Sequence, residues 1–176
     1  QELRVAQQLL QALQAPGVGL AVGLDYQLSA YGILGYGLMS SASGAAALAL
    51  ARRFLPLTYA FACIAQRSRG DAVELVFTAP DDIAPALQRF VVERAMGACA
   101  RLLRDVLGAG VPLLACELRY GAPPGAAAPR LLGCAPRYAA QENLLRLAAA
   151  DLQAPLPQAN AVSRAYAQVV HALLQD

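Results

Sequence analysis

The sequence predicts an α+β domain, a mainly antiparallel sheet of about five strands with helices packed on it, and not a jelly roll. Three observations carry that expectation. Segments with apolar residues at helical spacing are interleaved with short alternating runs. The turn signal Ser68-Arg69-Gly70-Asp71 joins two such runs as a β-hairpin. Helices and strands follow one another without strict βαβ repetition, which favours antiparallel pairing with helices gathered on one face.

From the start of the chain, residues 1 to 15 place Leu3, Ala6, Leu9, Leu10 and Leu13 on one helical face, and Pro16-Gly17 stops the helix. Gly17 to Tyr26 reads as a glycine-punctuated connector with room for a short helix. Gly32 to Met39 reads as a strand. Ser40 to Leu55 reads as a helix, with Ser41 or Ser43 as its cap, because a serine oxygen accepts a bond from an otherwise orphan backbone amide.

Thr58 to Arg67 and Ala72 to Thr78 are the hairpin strands. In the second, Val73, Leu75 and Phe77 alternate with Glu74, Val76 and Thr78, so one face is expected dry and the other partly wet. Pro80-Asp81-Asp82 breaks the pattern. Leu87 to Leu107 carries Leu87, Phe90, Val91, Ala95, Ala98, Leu102 and Val106 at helical spacing. Arg89 with Glu93 and Arg101 with Asp105 form i,i+4 pairs on a side read as solvated.

Leu113 to Tyr120 reads as a third strand, followed by a proline-rich loop from Gly121 to Pro129. Leu131 to Cys134 and Asn143 to Ala149 read as short paired strands. From Asn160 onward a helix carries Val162, Tyr166, Val169 and Leu173 on one face, with the asparagine as its cap. Pro155-Leu156-Pro157 sets this helix apart from the sheet. The division expected is a domain over 1–157 and a connecting helix over 158–176.

Composition excludes several function classes. Hydrophobic residues make up 57% and charged ones 15%, so the chain folds and its surface is poor in charge. All fourteen basic residues are arginine, against twelve acids, for a formal +2, which is too mild for a nucleic-acid surface. Mean hydropathy is positive, yet the nearest membrane candidate, Leu28 to Leu50, is interrupted by glycines and serines and reads as buried core. With no basic and apolar leader at the start, the expectation is a cytoplasmic protein that does not contact a membrane.

Catalytic chemistry is hard to assemble from these residues. Cys63, Cys99, Cys116 and Cys134 share no C-x-x-C spacing, and the single histidine, His171, sits on the last helix, so no metal site is expected and the thiols read as small buried hydrophobes. A phosphate loop of P-loop type needs a lysine, and there is none. Gly17, Gly19 and Gly23 miss the dinucleotide fingerprint by one residue and follow a helix instead of a strand. The G-x-S-x-G elbow of a serine hydrolase is absent. No cofactor and no catalytic residue is expected. A small enzyme with a cysteine nucleophile is the weakest alternative.

What remains is Gly32 to Ser41, three glycines, a tyrosine and two serines in an apolar setting. Glycine allows close backbone approach, which serves a ligand or tight packing equally. The groups able to orient a small polar or carboxylate-bearing ligand are Tyr26, Tyr31, Tyr36, Ser40, Tyr59, Tyr120 and Tyr138, with Arg119 and Arg137.

An ordered set of short pieces carries a family likeness: Gly19-Leu20 with Gly23, Leu28-Ser29-Ala30-Tyr31-Gly32, Gly35-Tyr36-Gly37 with Ser40-Ser41, Gly70-Asp71, Phe90-Val91-Val92-Glu93, Asn143, and Leu152 to Pro157. In this the chain resembles the amino-terminal effector-binding domain of AraC-family bacterial transcription regulators, over nearly its whole length. It departs where relatives commonly carry Ser-Pro-Thr-Leu, having Ser41-Ala42-Ser43-Gly44 instead. The resemblance implies a non-enzymatic sensor that binds a small effector of unknown identity, forms a homodimer, and meets DNA only through a helix-turn-helix domain outside this chain. It does not imply a sugar ligand. Tyr26, Tyr31, Tyr36, Ser40, Tyr59, Arg119, Tyr120 and Arg137 are the candidate ligand contacts. The rival expectation is a ligand-free dimerisation scaffold regulated by a protein partner.

Overall fold

The alternation of Val73, Leu75 and Phe77 builds the dry face of a central strand, and the rest of the domain is arranged around it. The computed structural model describes residues 2–13, 17–55, 60–108, 110–123, 131 and 133–173. Helices α1 (Glu2–Leu13), α2 (Val18–Leu24), α3 (Gly32–Met39) and α4 (Gly44–Phe54) come first, with a 3-10 turn at Leu28–Tyr31. Strands β1 (Cys63–Arg69) and β2 (Ala72–Thr78), helix α5 (Pro85–Leu107), strands β3 (Ala115–Glu117) and β4 (Leu144–Ala148), and helices α6 (Ala149–Gln153) and α7 (Ala161–Leu173) complete the order.

The described strands form an open sheet in the order β1-β2-β4-β3, every neighbouring pair antiparallel. The hairpin forms where the turn signal puts it, with Gly70 at φ +58°, a conformation that suits glycine. Its first strand begins at Cys63 and not at Thr58, and residues 58 and 59 lie outside the described residues. β1 is an edge strand whose second half, Gln66 to Arg69, is polar and charged, which discourages pairing with another chain.

The expectation of about five strands is corrected to four. Leu131 and Cys134 bond each other's backbone across a tight turn, while the partners of 144–148 are β2 and β3. The expected strand over 113–120 shrinks to three residues, and Leu114 stands 55% exposed. Beside it Arg137 makes one isolated parallel bridge to Glu117, which extends the sheet by backbone bonds without a regular strand.

Helix α5 crosses the dry face of the sheet. Val92, Met96, Ala100 and Leu103 meet Val73, Leu75, Phe77, Cys116, Leu145 and Leu147 in the main core. The outer face carries charge. Glu74 opposes Arg67 on one neighbour and Arg146 on the other, and is fully buried beneath them. Arg67 Nε donates to Glu74 Oε2 at 2.6 Å and Arg146 Nε to Oε1 at 2.8 Å. These bonds, Arg67 first, hold the Glu74 carboxyl below the usual carboxylate range.

A second core joins α3, α4 and Leu156, with Leu34, Leu38, Leu50 and Phe54 at its centre. Here the largest correction falls: Gly32 to Met39 is a helix and not a strand. A short run that is apolar on all sides has no period to separate the two, so packing decides. Helical geometry brings Gly35 against Leu28, where an added Cβ would lie 2.2 Å from the Leu28 carbonyl oxygen. Ser43 caps α4, accepting from the Ala46 N–H at 3.3 Å, while Ser41 donates to the Gly37 carbonyl within the preceding helix at 2.9 Å.

The expected caps and pairs of the longer helices form. Asn160 Oδ1 accepts from the Ser163 N–H at 3.0 Å at the start of α7, and Arg89–Glu93 and Arg101–Asp105 pair at 2.7 and 3.1 Å. The side of α5 read as solvated is not so at Glu93, which is 1% exposed. Helix α2 lies over it there, and that burial raises the Glu93 pKa, against the pull of Arg89.

Candidate functional site

The connector from Asp25 to Tyr31, the inner faces of α3 and α4, and one stripe of α5 converge on the hairpin and leave a cavity of about 120 Å3 between them. Leu34 and Leu38 come from α3, Leu48, Ala51 and Arg52 from α4, Ile64 and Leu75 from the hairpin, and Arg94, Ala95, Ala98, Cys99 and Leu102 from α5. Tyr26 and Tyr31 stand half-buried at its rim, their rings 6.3 Å apart and inclined at 43°. Buried leucines at the floor and half-exposed tyrosines at the rim are the arrangement of a ligand pocket: an apolar body site with a few polar groups at one end.

Burial pushes the Tyr31 hydroxyl up to about 12, with the neighbouring Tyr26 adding to it. At neutral pH it is therefore a hydrogen-bond donor. Burial likewise pushes the Cys99 thiol up to about 12, which makes it a poor nucleophile. Arg94 is 8% exposed, its guanidinium carbon 5.5 Å from the Phe61 ring centre and 5.7 Å from that of Phe90. Two aromatic faces thus hold its head.

Of the seven candidate contacts among the described residues, Tyr26 and Tyr31 line this cavity. Tyr36 points the other way, its hydroxyl 2.7 Å from Ser163 Oγ of α7. Ser40 is buried by backbone bonds at the same junction, donating to the Tyr36 carbonyl at 3.1 Å and accepting from the Asn160 N–H at 3.0 Å. Arg119 and Tyr120 belong to a separate polar recess with Asn143, whose side chain bonds the Arg119 N–H at 2.9 Å and the Phe77 carbonyl at 3.3 Å. Arg137 lies on the outer face of the sheet, paired with Glu117 at 2.7 Å. Tyr59 lies outside the described residues.

The sequence reading missed Arg94, Arg52 and the α5 wall. A signal for Arg94 was present. It falls three residues after Val91 and four after Phe90, so it interrupts the apolar stripe that defines the buried face of α5. A charge inside such a stripe is either paired or poised at a pocket. Among the described residues no group of three His, Cys, Asp or Glu could hold a metal ion, and no helix is long and apolar enough to cross a membrane.

Known proteins supply two findings. The profile of the family described as the arabinose-binding domain of AraC transcription regulator, N-terminal, matches residues 1–156. The fold is similar to that of the transcriptional regulator CdpR from Pseudomonas aeruginosa, with a TM-score of 0.73 and 22% sequence identity over 89% of this chain and 51% of the CdpR chain. The chain thus spans about half the length of that regulator. No curated protein matches it in sequence.

Proposed function

We propose that this chain, which belongs to the family of N-terminal arabinose-binding domains of AraC transcription regulators, senses a small effector in the cavity beside Tyr26 and Tyr31 and reports its occupancy through α3 to α7. The observation that carries this reading is the double duty of α3. Leu34 and Leu38 form one wall of the cavity, while Tyr36 and Gly37 of the same eight-residue helix hold α7. An effector that fits one placement of α3 better than another shifts the balance between them, and α7 moves with it.

In this reading residues 1–157 are the sensor, 158–176 the connection, and DNA is met by a part of the regulator outside these residues. The protein acts by binding and not by catalysis, in the cytoplasm, as a homodimer. The dimer is supported by α7, where Val162, Tyr166 and Val169 stand 80%, 62% and 59% exposed along one face, an apolar stripe of the kind that marks association surfaces.

Coupling is testable without knowing the effector. Ala98→Leu fills the cavity from α5, at a position remote from α7, and hydrogen exchange of the purified chain reads the response. The expected result is a several-fold change in exchange of the amides in 161–173 with the core of the sheet unchanged. A folded variant in which those amides exchange as in the parent overturns the coupling.

A further inference from the structure

We infer that the effector taken by this cavity is a compact, uncharged molecule with an apolar body of about six carbons, and neither a sugar nor an ion. This rests on the reading of the cavity as the effector site and adds the chemistry that the site selects.

Size sets the body. A dry engineered cavity of roughly 150 Å3 takes benzene, and this one is about 120 Å3, so a ring of about six carbons or a branched chain of that bulk fills it. The lining includes exposed Arg52 and half-buried Tyr26 and Tyr31. The cavity therefore reaches solvent, and a small substituent on the body projects there.

The wall sets the polarity. Leu48, Ile64, Ala98 and Leu102 line the cavity yet are only half-buried, so the fold leaves apolar side chains uncovered there. A ligand that covers them gains in proportion to the apolar surface it removes from water. A pentose carries a hydroxyl on almost every carbon, and hydroxyls facing leucine, isoleucine and alanine lose water without gaining a partner.

Charge is disfavoured in both signs. Neither Asp nor Glu is among the described lining residues, so an ammonium group would be desolvated there without a counter-ion. Of the two arginines in the lining, Arg94 is already engaged within the protein, its guanidinium over the rings of Phe61 and Phe90. Arg52 is exposed, where water and salt screen its charge. A carboxylate would leave water with little compensation, and a neutral molecule incurs neither cost.

Benzyl alcohol, benzoate, benzylammonium and L-arabinose, titrated by calorimetry into the purified chain at neutral pH, test this. The first three share one ring and differ in charge. The expected result is alcohol binding at least roughly tenfold tighter than that of either ion, with no heat from arabinose. Ala98→Leu fills the cavity from α5, and Ala51→Val fills it from α4 should the first variant not fold. The filled variant should weaken the alcohol at least roughly tenfold, and Arg52→Gln should leave it unchanged. Undiminished alcohol binding in a folded, filled variant overturns the site. Either ion binding as tightly as the alcohol, or a loss of alcohol binding in Arg52→Gln, overturns the neutral assignment. Binding of arabinose without the alcohol overturns the apolar body, and no binding of any probe overturns the inference as a whole. The hydrogen-exchange experiment on α7 uses no ligand, so the sensor reading stands or falls separately from the ligand class.

Discussion

Gly23 and Gly97 face each other across the contact of α2 with α5, so closely that a Cβ added to Gly23 would lie 2.8 Å from the Gly97 Cα and one added to Gly97 would lie 3.0 Å from the Gly23 Cα. The same added atoms would come within 2.2 Å of the Arg94 carbonyl oxygen and 2.5 Å of that of Leu20. Backbone is the obstacle, so no rotamer change relieves it. Gly97→Ala is therefore expected to lower stability by about 1–3 kcal/mol from overpacking, more than the roughly 0.5–1 kcal/mol that alanine gains over glycine inside a helix. Urea denaturation followed by circular dichroism reads the sign. A more stable Gly97→Ala would mean that α2 does not pack this closely.

Two buried glutamates respond to acid in opposite directions. Glu74 has its pKa lowered in the folded state, chiefly by Arg67, so its contribution is full above the unfolded value of about 4.3 and is lost as pH falls through the folded value. Glu93 has its pKa raised by burial. The folded state therefore gains from Glu93 as pH falls through its folded value toward about 4.3. Glu74→Gln should flatten the acid limb of the stability profile, and Glu93→Gln should steepen it relative to the parent. Identical profiles for parent and both variants would contradict both assignments.

Thiol reactivity should be ordered by burial. Cys63 is exposed, whereas burial pushes Cys99 and Cys116 up to about 12, leaving only about one in ten thousand as thiolate at pH 8. A maleimide followed by mass spectrometry should label Cys63 first and Cys99 and Cys116 last in the native state. Labelling of Cys116 as fast as Cys63 would contradict its placement in the main core.

The exposed stripe of α7 gives a prediction about association. Tyr166→Glu and Val169→Glu lie on the open side, away from Ala167, which is 2% exposed and faces Gly37. Light scattering should show the parent as a dimer and the double variant as a folded monomer. A dimeric double variant would move the interface off this face.

Much of the secondary structure was legible because its signals are local. The Ser68 to Asp71 turn, the long stripe of α5, and the Ser43 and Asn160 caps each depend on residues within a turn or two of one another. The pairing of Leu131 to Cys134 with 143–149 failed for the opposite reason. Its leucine and cysteine satisfy each other's backbone across one turn, and β4 already has a neighbour on each side.

The sequence by itself determined the α+β class, the hairpin, the helix that crosses it and membership in a regulator family, since these follow from periodicity, turn chemistry and an ordered set of short pieces. Tertiary structure alone decided that Gly32 to Met39 is a helix, because a run that is apolar on every side takes its form from what packs around it. It also decided which polar groups meet. Tyr31 and Tyr36 are five residues apart, yet one lines the cavity and the other bonds Ser163 of α7, because the turn into α3 at Gly32, with φ at +52°, separates the directions in which they project.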